Sequence, residues 1–346
     1  MKKLHLLLAV LSFGLFISCS KDDKNSGGSV ESIVISSNIS DVYVGDNIVF
    51  TVTGNNGAVL TSSSVIHVNT NPIVSNTYSA VAAGTISVYA VYQVSSTVTL
   101  TSPTIQITIQ QAINFNKRVL IEDYTGTWCQ FCPRVSYAIS QVRAQTSDAV
   151  VVAIHRGNDP YNFPEASTLE TMIGLTGYPT GMLNRKTDWS YPETSNVAQV
   201  VALTNGANPR VGLAMTNTRS GNTVTVQVKV KFGQNLTNLK LVVYALEDNL
   251  IFNQTNSTSY YGGVNPIVNF DFDDVLRGFL TSSILGDPIT GSTNTNDVYT
   301  KTFTYNVPSG SVAANFHFAA IVLDWNNKAM NSRDASNNEN QSFEIE

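Results

Sequence analysis

Apolar and polar positions alternate with period two in three stretches of the first third of the chain. These are VYVGDNIVFTVTG (residues 42–54), SVYAVYQV (87–94) and IQITI (105–109). Alternation bounded by Gly and Asn predicts half-buried strands. About seven short runs of this kind fit between residues 33 and 110, which predicts an N-terminal immunoglobulin-like β-sandwich. The segment holds no cluster of reactive side chains, and His67 reads as a surface strand residue.

The pattern changes at residue 112. RVLIEDY (118–124) reads as a strand ending in a turn. After Pro133, apolar residues recur at Val135, Ala138, Ile139 and Val142, the period of a helix. AVVVAI (149–154) is a continuous apolar run of buried-strand type, 165–174 reads as helix, 179–184 as a further strand and 193–204 as a closing helix. Strand and helix in alternation predict an α/β domain over residues 112–205. From 208 to 346 alternation returns, most cleanly in TVTVQVKVKF (223–232), and predicts a C-terminal β-sandwich with one wet face. The acidic, aromatic stretch 271–284 interrupts that pattern and fits neither element type.

Of the 346 residues 42% are hydrophobic and only 13% charged, about half the usual charged share. Ser, Thr, Asn and Gln therefore make the polar surface, as suits an extracytoplasmic β-rich protein. A formal net charge of −5 without a basic patch argues against a nucleic-acid partner.

Met1, Lys2 and Lys3 precede the apolar run 4–17, which ends at Ser18 and Cys19. Residues 1–19 read as a lipoprotein signal peptide with its lipobox, and Cys19 as the lipid anchor that holds the chain at a membrane. Residues 20–32, polar and rich in Ser and Gly, read as a flexible tether. Its opening Ser-Lys-Asp-Asp resembles the export signal of surface lipoproteins in Bacteroidota, which implies an outer-membrane location facing the cell exterior, with the periplasmic face as the alternative.

The chain has three cysteines, and two of them lie in TGTWCQFCPR (125–134). Cysteines at i and i+3 can close a small ring at the start of a helix. There free N–H groups and the helix dipole favour a thiolate at Cys129, the attacking form in disulfide exchange. Cys132, one turn further in, can resolve a mixed disulfide, and Pro133 suits a first helical position. A zinc site needs about four ligands, and neither a second cysteine pair nor paired histidines are present, so no metal and no organic cofactor are expected. A structural disulfide is the competing reading in an oxidising compartment, although so short a loop stabilises little.

The run RVLIEDYTGTWCQFCPR resembles the strand–turn–CxxC–helix opening of the thioredoxin fold, and Gly177-Tyr178-Pro179-Thr180 resembles its cis-proline loop. The likeness implies that Pro179 shapes a substrate groove together with Trp128, Tyr178 and Thr180. It also implies that a buried acid takes a proton from the resolving cysteine; Asp123 matches that position, with its neighbour Glu122 as competitor. His155, at the end of its strand, is a candidate to tune Cys129, and Arg134 a lesser one.

More broadly, residues 119–133, 152–155 and 178–180, with Asp274-Val275-Leu276-Arg277, resemble the Omp28-related outer-membrane lipoproteins of Bacteroidota. The resemblance covers about residue 112 to the C-terminus and leaves 30–109 outside. It implies a thioredoxin-like domain joined to a C-terminal β domain on the cell envelope. The expected function is thiol–disulfide exchange on extracytoplasmic proteins, with protein thiols or disulfides as substrates and an unidentified redox partner. Gln130 and Phe131, between the cysteines, leave the redox direction open. The alternative is a displayed binding protein or adhesin whose CxxC is a staple.

Overall fold

The computed structural model describes residues 28–346. The signal peptide, Cys19 and most of the tether lie outside the described residues. The chain divides into two compact units, the first ending at Ile109 and the second spanning Gln110–Glu346.

In the first unit two sheets enclose one core. A three-stranded sheet pairs Asn47–Gly54 with Ile33–Ser37 and Thr77–Ser79, and a six-stranded sheet is centred on Gly84–Gln93. Along Asn47–Gly54 the inward positions Ile48, Phe50 and Val52 are buried, as alternation requires. They pack with Ile35, Ile66, Val88 and Ile107. The unit is sandwich-like.

In the second unit a nine-stranded mixed sheet is the spine. Its order is Thr187–Asp188, Thr180–Leu183, Val119–Thr125, Ala149–His155, Val275–Phe279, Lys240–Glu247, Phe316–Leu323 and Ala329–Ser336, with Asp287–Pro288 also on Lys240–Glu247. Val119–Thr125 runs parallel to Ala149–His155 and antiparallel to Thr180–Leu183. The parallel pair is joined by helix α1 (Pro133–Arg143), as a parallel connection needs. Both strands are buried on both faces, which is why their sequences read as continuous apolar runs. On one face Val119, Ile121 and Val151 pack under α1 and the later helix α3 (Val197–Ala202). On the other, Leu120, Tyr124 and Val152 pack with Leu169 of α2 (Ser167–Ile173). A left-handed Gly174 ends α2.

Across the C-terminal half of the sheet lies a three-stranded sheet of Val211–Ser220, Thr223–Phe232 and Val298–Asn306. Leu213, Val226, Val243 and Phe318 belong to the core between them.

The sequence suggests an α/β domain ending near 205 and a separate sandwich after 208. The structure instead runs one sheet through both, so the central α/β domain is not a free-standing body. The joint is the stretch that fitted no pattern. Residues 271–284 contain Val275–Phe279, which joins the free edge of Ala149–His155 at Ala153 and pairs with Lys240–Glu247 on its other side. An edge strand that apolar cannot stay unpaired, but periodicity along the chain does not say which strand covers it.

Candidate active site

Cys129 and Cys132 form a disulfide immediately before α1, with Cys132 at the N-cap and Pro133 in the first turn. Cys129 is 4% exposed and Cys132 1%. Trp128, which precedes Cys129, is 42% exposed. Its ring rests where Gly126 and Gly157 have no side chains; a Cβ on either would lie 2.7 or 3.1 Å from the indole nitrogen. That nitrogen donates to the Arg156 carbonyl at 2.7 Å.

Tyr178 meets Trp128 edge to face at 5.6 Å between ring centroids. The Tyr178–Pro179 peptide is cis, and the Thr180 hydroxyl donates to the Gly177 carbonyl at 2.9 Å. Thus the proline loop lies against the tryptophan that precedes the cysteine pair. Tyr178 donates its hydroxyl to Glu170, which also pairs with Arg156 at 2.7 Å.

The two adjacent carboxylates diverge, because neighbouring strand residues face opposite ways. Glu122 points away from α1 and is fully buried in an ion pair with Arg185, 2.7 Å from its guanidinium. Asp123 points toward α1, is 2% exposed, and one of its oxygens has no hydrogen-bond partner among the described residues. Burial, and secondarily the Glu193 carboxylate, push its pKa up to about 8 against the pull of Arg134. Arg134 itself is engaged with Glu193 at 2.5 Å and lies over the Tyr191 ring.

His155 sits on the same face as Asp123, two positions along the neighbouring strand from its register partner Ala153. It is fully buried. Its Nδ1 lies 3.0 Å from Asp159 Oδ2, while Nε2 has no partner among the described residues. Asp159 also accepts the N–H groups of Thr127 and Tyr161. Burial alone raises the Asp159 pKa, but His155 and those two N–H groups together hold it below the usual carboxylate range.

A cavity of about 200 Å³ lies beneath α1; Asp123 and His155 line it with Ser136 and Ser140, and Asp271 and Asp273 stand exposed in its wall.

A hairpin of Leu250–Gln254 and Ile267–Phe272 approaches from the C-terminal part of the unit. Thr255 and Ser257 donate their N–H groups to the carbonyls of Thr127 and Gln130, at 2.9 and 2.8 Å. Gln254 Nε2 donates to the Cys129 carbonyl at 2.9 Å. Tyr260 stacks on Tyr137 of α1 at 4.7 Å. This arm is thus hydrogen-bonded to the backbone of the disulfide loop.

A separate cluster brings donor atoms of Asp248, Asp274 and His317 within 4.8 Å of one another. They are already engaged with protein partners: Arg143 reaches both Asp274 oxygens at 2.7 Å, and His317 Nε2 lies 3.1 Å from Asp248.

Of the residues that sequence reasoning singles out, Trp128, next to Cys129, meets Tyr178 of the proline loop, Cys129 and Cys132 are bonded to each other, and Asp123 and His155 line the cavity beneath α1. Glu122 faces elsewhere. Asp159 and Gln254 are additional. Asp159 is four residues after His155, a spacing that could have drawn attention; Gln254, remote in sequence, carries no local signal.

The family model described as outer membrane protein Omp28 matches residues 166–341. The chain belongs to the Omp28 family. The matched stretch takes in α2, the cis-proline loop, the hairpin arm and the C-terminal strands, and begins after the cysteine pair. Membership makes this chain a cell-envelope protein of an outer-membrane family. Among the described residues no helix is long and apolar enough to cross a membrane. HBP35 of Porphyromonas gingivalis shares the fold at 17% identity, with a TM-score of 0.53, over 66% of this chain and 77% of its own. A domain of the outer membrane lipoprotein Omp28 from the same organism aligns at 20% identity over 38% of this chain and 92% of its own; its TM-score of 0.24 is too low to argue from. No functionally curated protein matches the chain.

Proposed function

We propose that this Omp28-family protein performs thiol–disulfide exchange on extracytoplasmic proteins through a thioredoxin-like half of its second unit. One arrangement carries the reading. A cysteine pair starts α1 beside a cis-proline loop, and on the face beneath that helix lies a buried carboxyl, one oxygen of which has no partner among the described residues. Cys129, at the helix start, is the attacking sulfur, because N-terminal N–H groups and the dipole stabilise its thiolate. Cys132 resolves the mixed disulfide. Asp123 moves the proton of Cys132, and Pro179, Tyr178, Thr180 and Trp128 line the substrate groove. The electrons reside in the sulfur pair, so no organic cofactor enters, and a separate redox partner recharges it. A lipidated Cys19, followed by the tether of residues 20–32, would anchor the chain at the outer membrane, on its outer face.

One observation favours the other reading, a displayed binding protein with a stapled loop: Cys129 is only 4% exposed and the arm lies over its loop. Equilibration of the mature chain in glutathione buffers separates the two. Catalytic pairs have potentials of about −270 to −120 mV, whereas structural disulfides lie below about −300 mV. A value in the upper range supports exchange and gives its direction. One below −300 mV sinks it in favour of the staple.

A further inference from the structure

Two buried polar atoms line the same cavity without a partner among the described residues, Asp123 Oδ1 and His155 Nε2. Buried polar atoms are nearly always satisfied, so two orphans in one space call for an explanation. His155 is also set in orientation. Asp159, held ionised by its hydrogen bonds, faces Nδ1 at 3.0 Å; with Nδ1–H donating to it, the neutral ring carries its lone pair on Nε2. A carboxylate behind one ring nitrogen and a free lone pair on the other is the arrangement of a general base. Ser136 and Ser140 of α1 also line the cavity, and the space is large enough for water.

We propose that His155, backed by Asp159, is the proton-relay residue that empties and refills Asp123 during the redox cycle. The inference rests on the exchange reading above. A buried carboxyl that retains its proton cannot accept another, so Asp123 needs an acceptor in the same cavity before it can serve Cys132. When the pair reduces a substrate disulfide, Cys129 is first joined to a substrate sulfur. Asp123, emptied onto His155 Nε2 through cavity water, takes the proton from the Cys132 thiol. The Cys132 thiolate attacks the Cys129 sulfur; a Cys129–Cys132 bond forms, and the bond to the substrate breaks. The substrate sulfur leaves with the electron pair. His155 yields its proton to solvent past exposed Asp271 and Asp273, and solvent protonates the leaving thiolate. The pair is oxidised by two electrons and the substrate reduced by two. The reverse direction runs the same path backwards.

Other charged and titratable groups surround the path. Glu193, Arg134 and Tyr261 interact with Asp123. Tyr161 packs edge to face on His155, with Arg277 over the Tyr161 ring, and Arg143 and Asp274 complete the cavity wall. Among these groups His155 alone joins full burial to a ring nitrogen that has no partner among the described residues.

The test is stopped-flow reaction of the reduced protein with 5,5′-dithiobis(2-nitrobenzoate), which releases one thionitrobenzoate as Cys129 attacks and a second as Cys132 resolves. In His155→Ala the second phase should slow about tenfold or more near neutral pH, the first should hold, and free imidazole should restore the second. Equal slowing of both phases, or slowing that imidazole does not relieve, overturns the relay in favour of a structural role. An unchanged second phase overturns it as well. If wild type releases no second equivalent, or Cys132→Ser matches it, the exchange reading itself fails. Should His155→Ala not fold, nitrogen NMR of wild type still decides: the Nδ1–H tautomer supports the relay, and Nε2–H overturns it.

Discussion

Gln254 donates its side-chain N–H to the carbonyl of Cys129 across 2.9 Å, although 125 residues separate them. The same amide reaches the carbonyls of Gly126 and Thr255. A hairpin from the C-terminal half thus holds the backbone of the disulfide loop. Gln254→Ala leaves those buried carbonyls with fewer donors, which costs about 1–3 kcal/mol. Reduction by a water-soluble phosphine should become several-fold faster, because the arm no longer grips the loop. An unchanged reduction rate would show that the arm does not control access to the sulfurs.

Asp123 sets a pH dependence whose sign is opposite to that of a salt-bridged carboxylate. Its folded pKa of about 8 exceeds the ordinary value of 3.8. Between those values the folded state holds more protons than the unfolded one, so stability falls as pH rises. Each pH unit within that window removes about 1.4 kcal/mol at most. Asp123→Asn abolishes this slope, and urea unfolding should show the variant gaining on wild type from pH 5 to pH 8. Parallel curves would contradict the raised pKa.

The Glu122–Arg185 pair lies fully inside the second unit and also engages the Tyr244 hydroxyl, 2.6 Å from Arg185. Arg185→Met strands the Glu122 charge, and denaturation should report a loss of about 3–5 kcal/mol. The double variant Glu122→Leu, Arg185→Met removes both charges and should recover most of it. A double variant as unstable as the single one would mean the pair is held for packing and not for charge.

Gly157 has a left-handed backbone, φ +76°, beneath the Trp128 ring. Alanine there meets both a backbone penalty of roughly 1–2 kcal/mol and a Cβ 3.1 Å from the indole nitrogen. Gly157→Ala should displace Trp128 from its bond to Arg156, shift tryptophan emission and lower the melting temperature. A variant with wild-type emission would show that the ring has another seat.

Much of the site is legible in the chain because its chemistry is local. The CxxC spacing, Pro133 at a helix start and the apolar period of Val135, Ala138, Ile139 and Val142 lie within fifteen residues and describe α1 and its cysteine cap. The alternation in residues 42–54 and 223–232 marks strands for the same reason: side chains of a pleated strand take turns inward and outward. The likeness to the Omp28-related lipoproteins is carried by equally short stretches.

Tertiary structure decided what local pattern cannot encode. Which of Glu122 and Asp123 faces the cavity beneath α1 depended on which side of the strand that helix covers, since both are strand residues of one charge. The orientation of the His155 ring depended on Asp159 curling back to meet Nδ1. The fusion of the α/β half with the C-terminal strands depended on Val275–Phe279 taking the edge of Ala149–His155. Hydrophobic period states how much of a strand is buried; only the meeting of distant segments states what buries it.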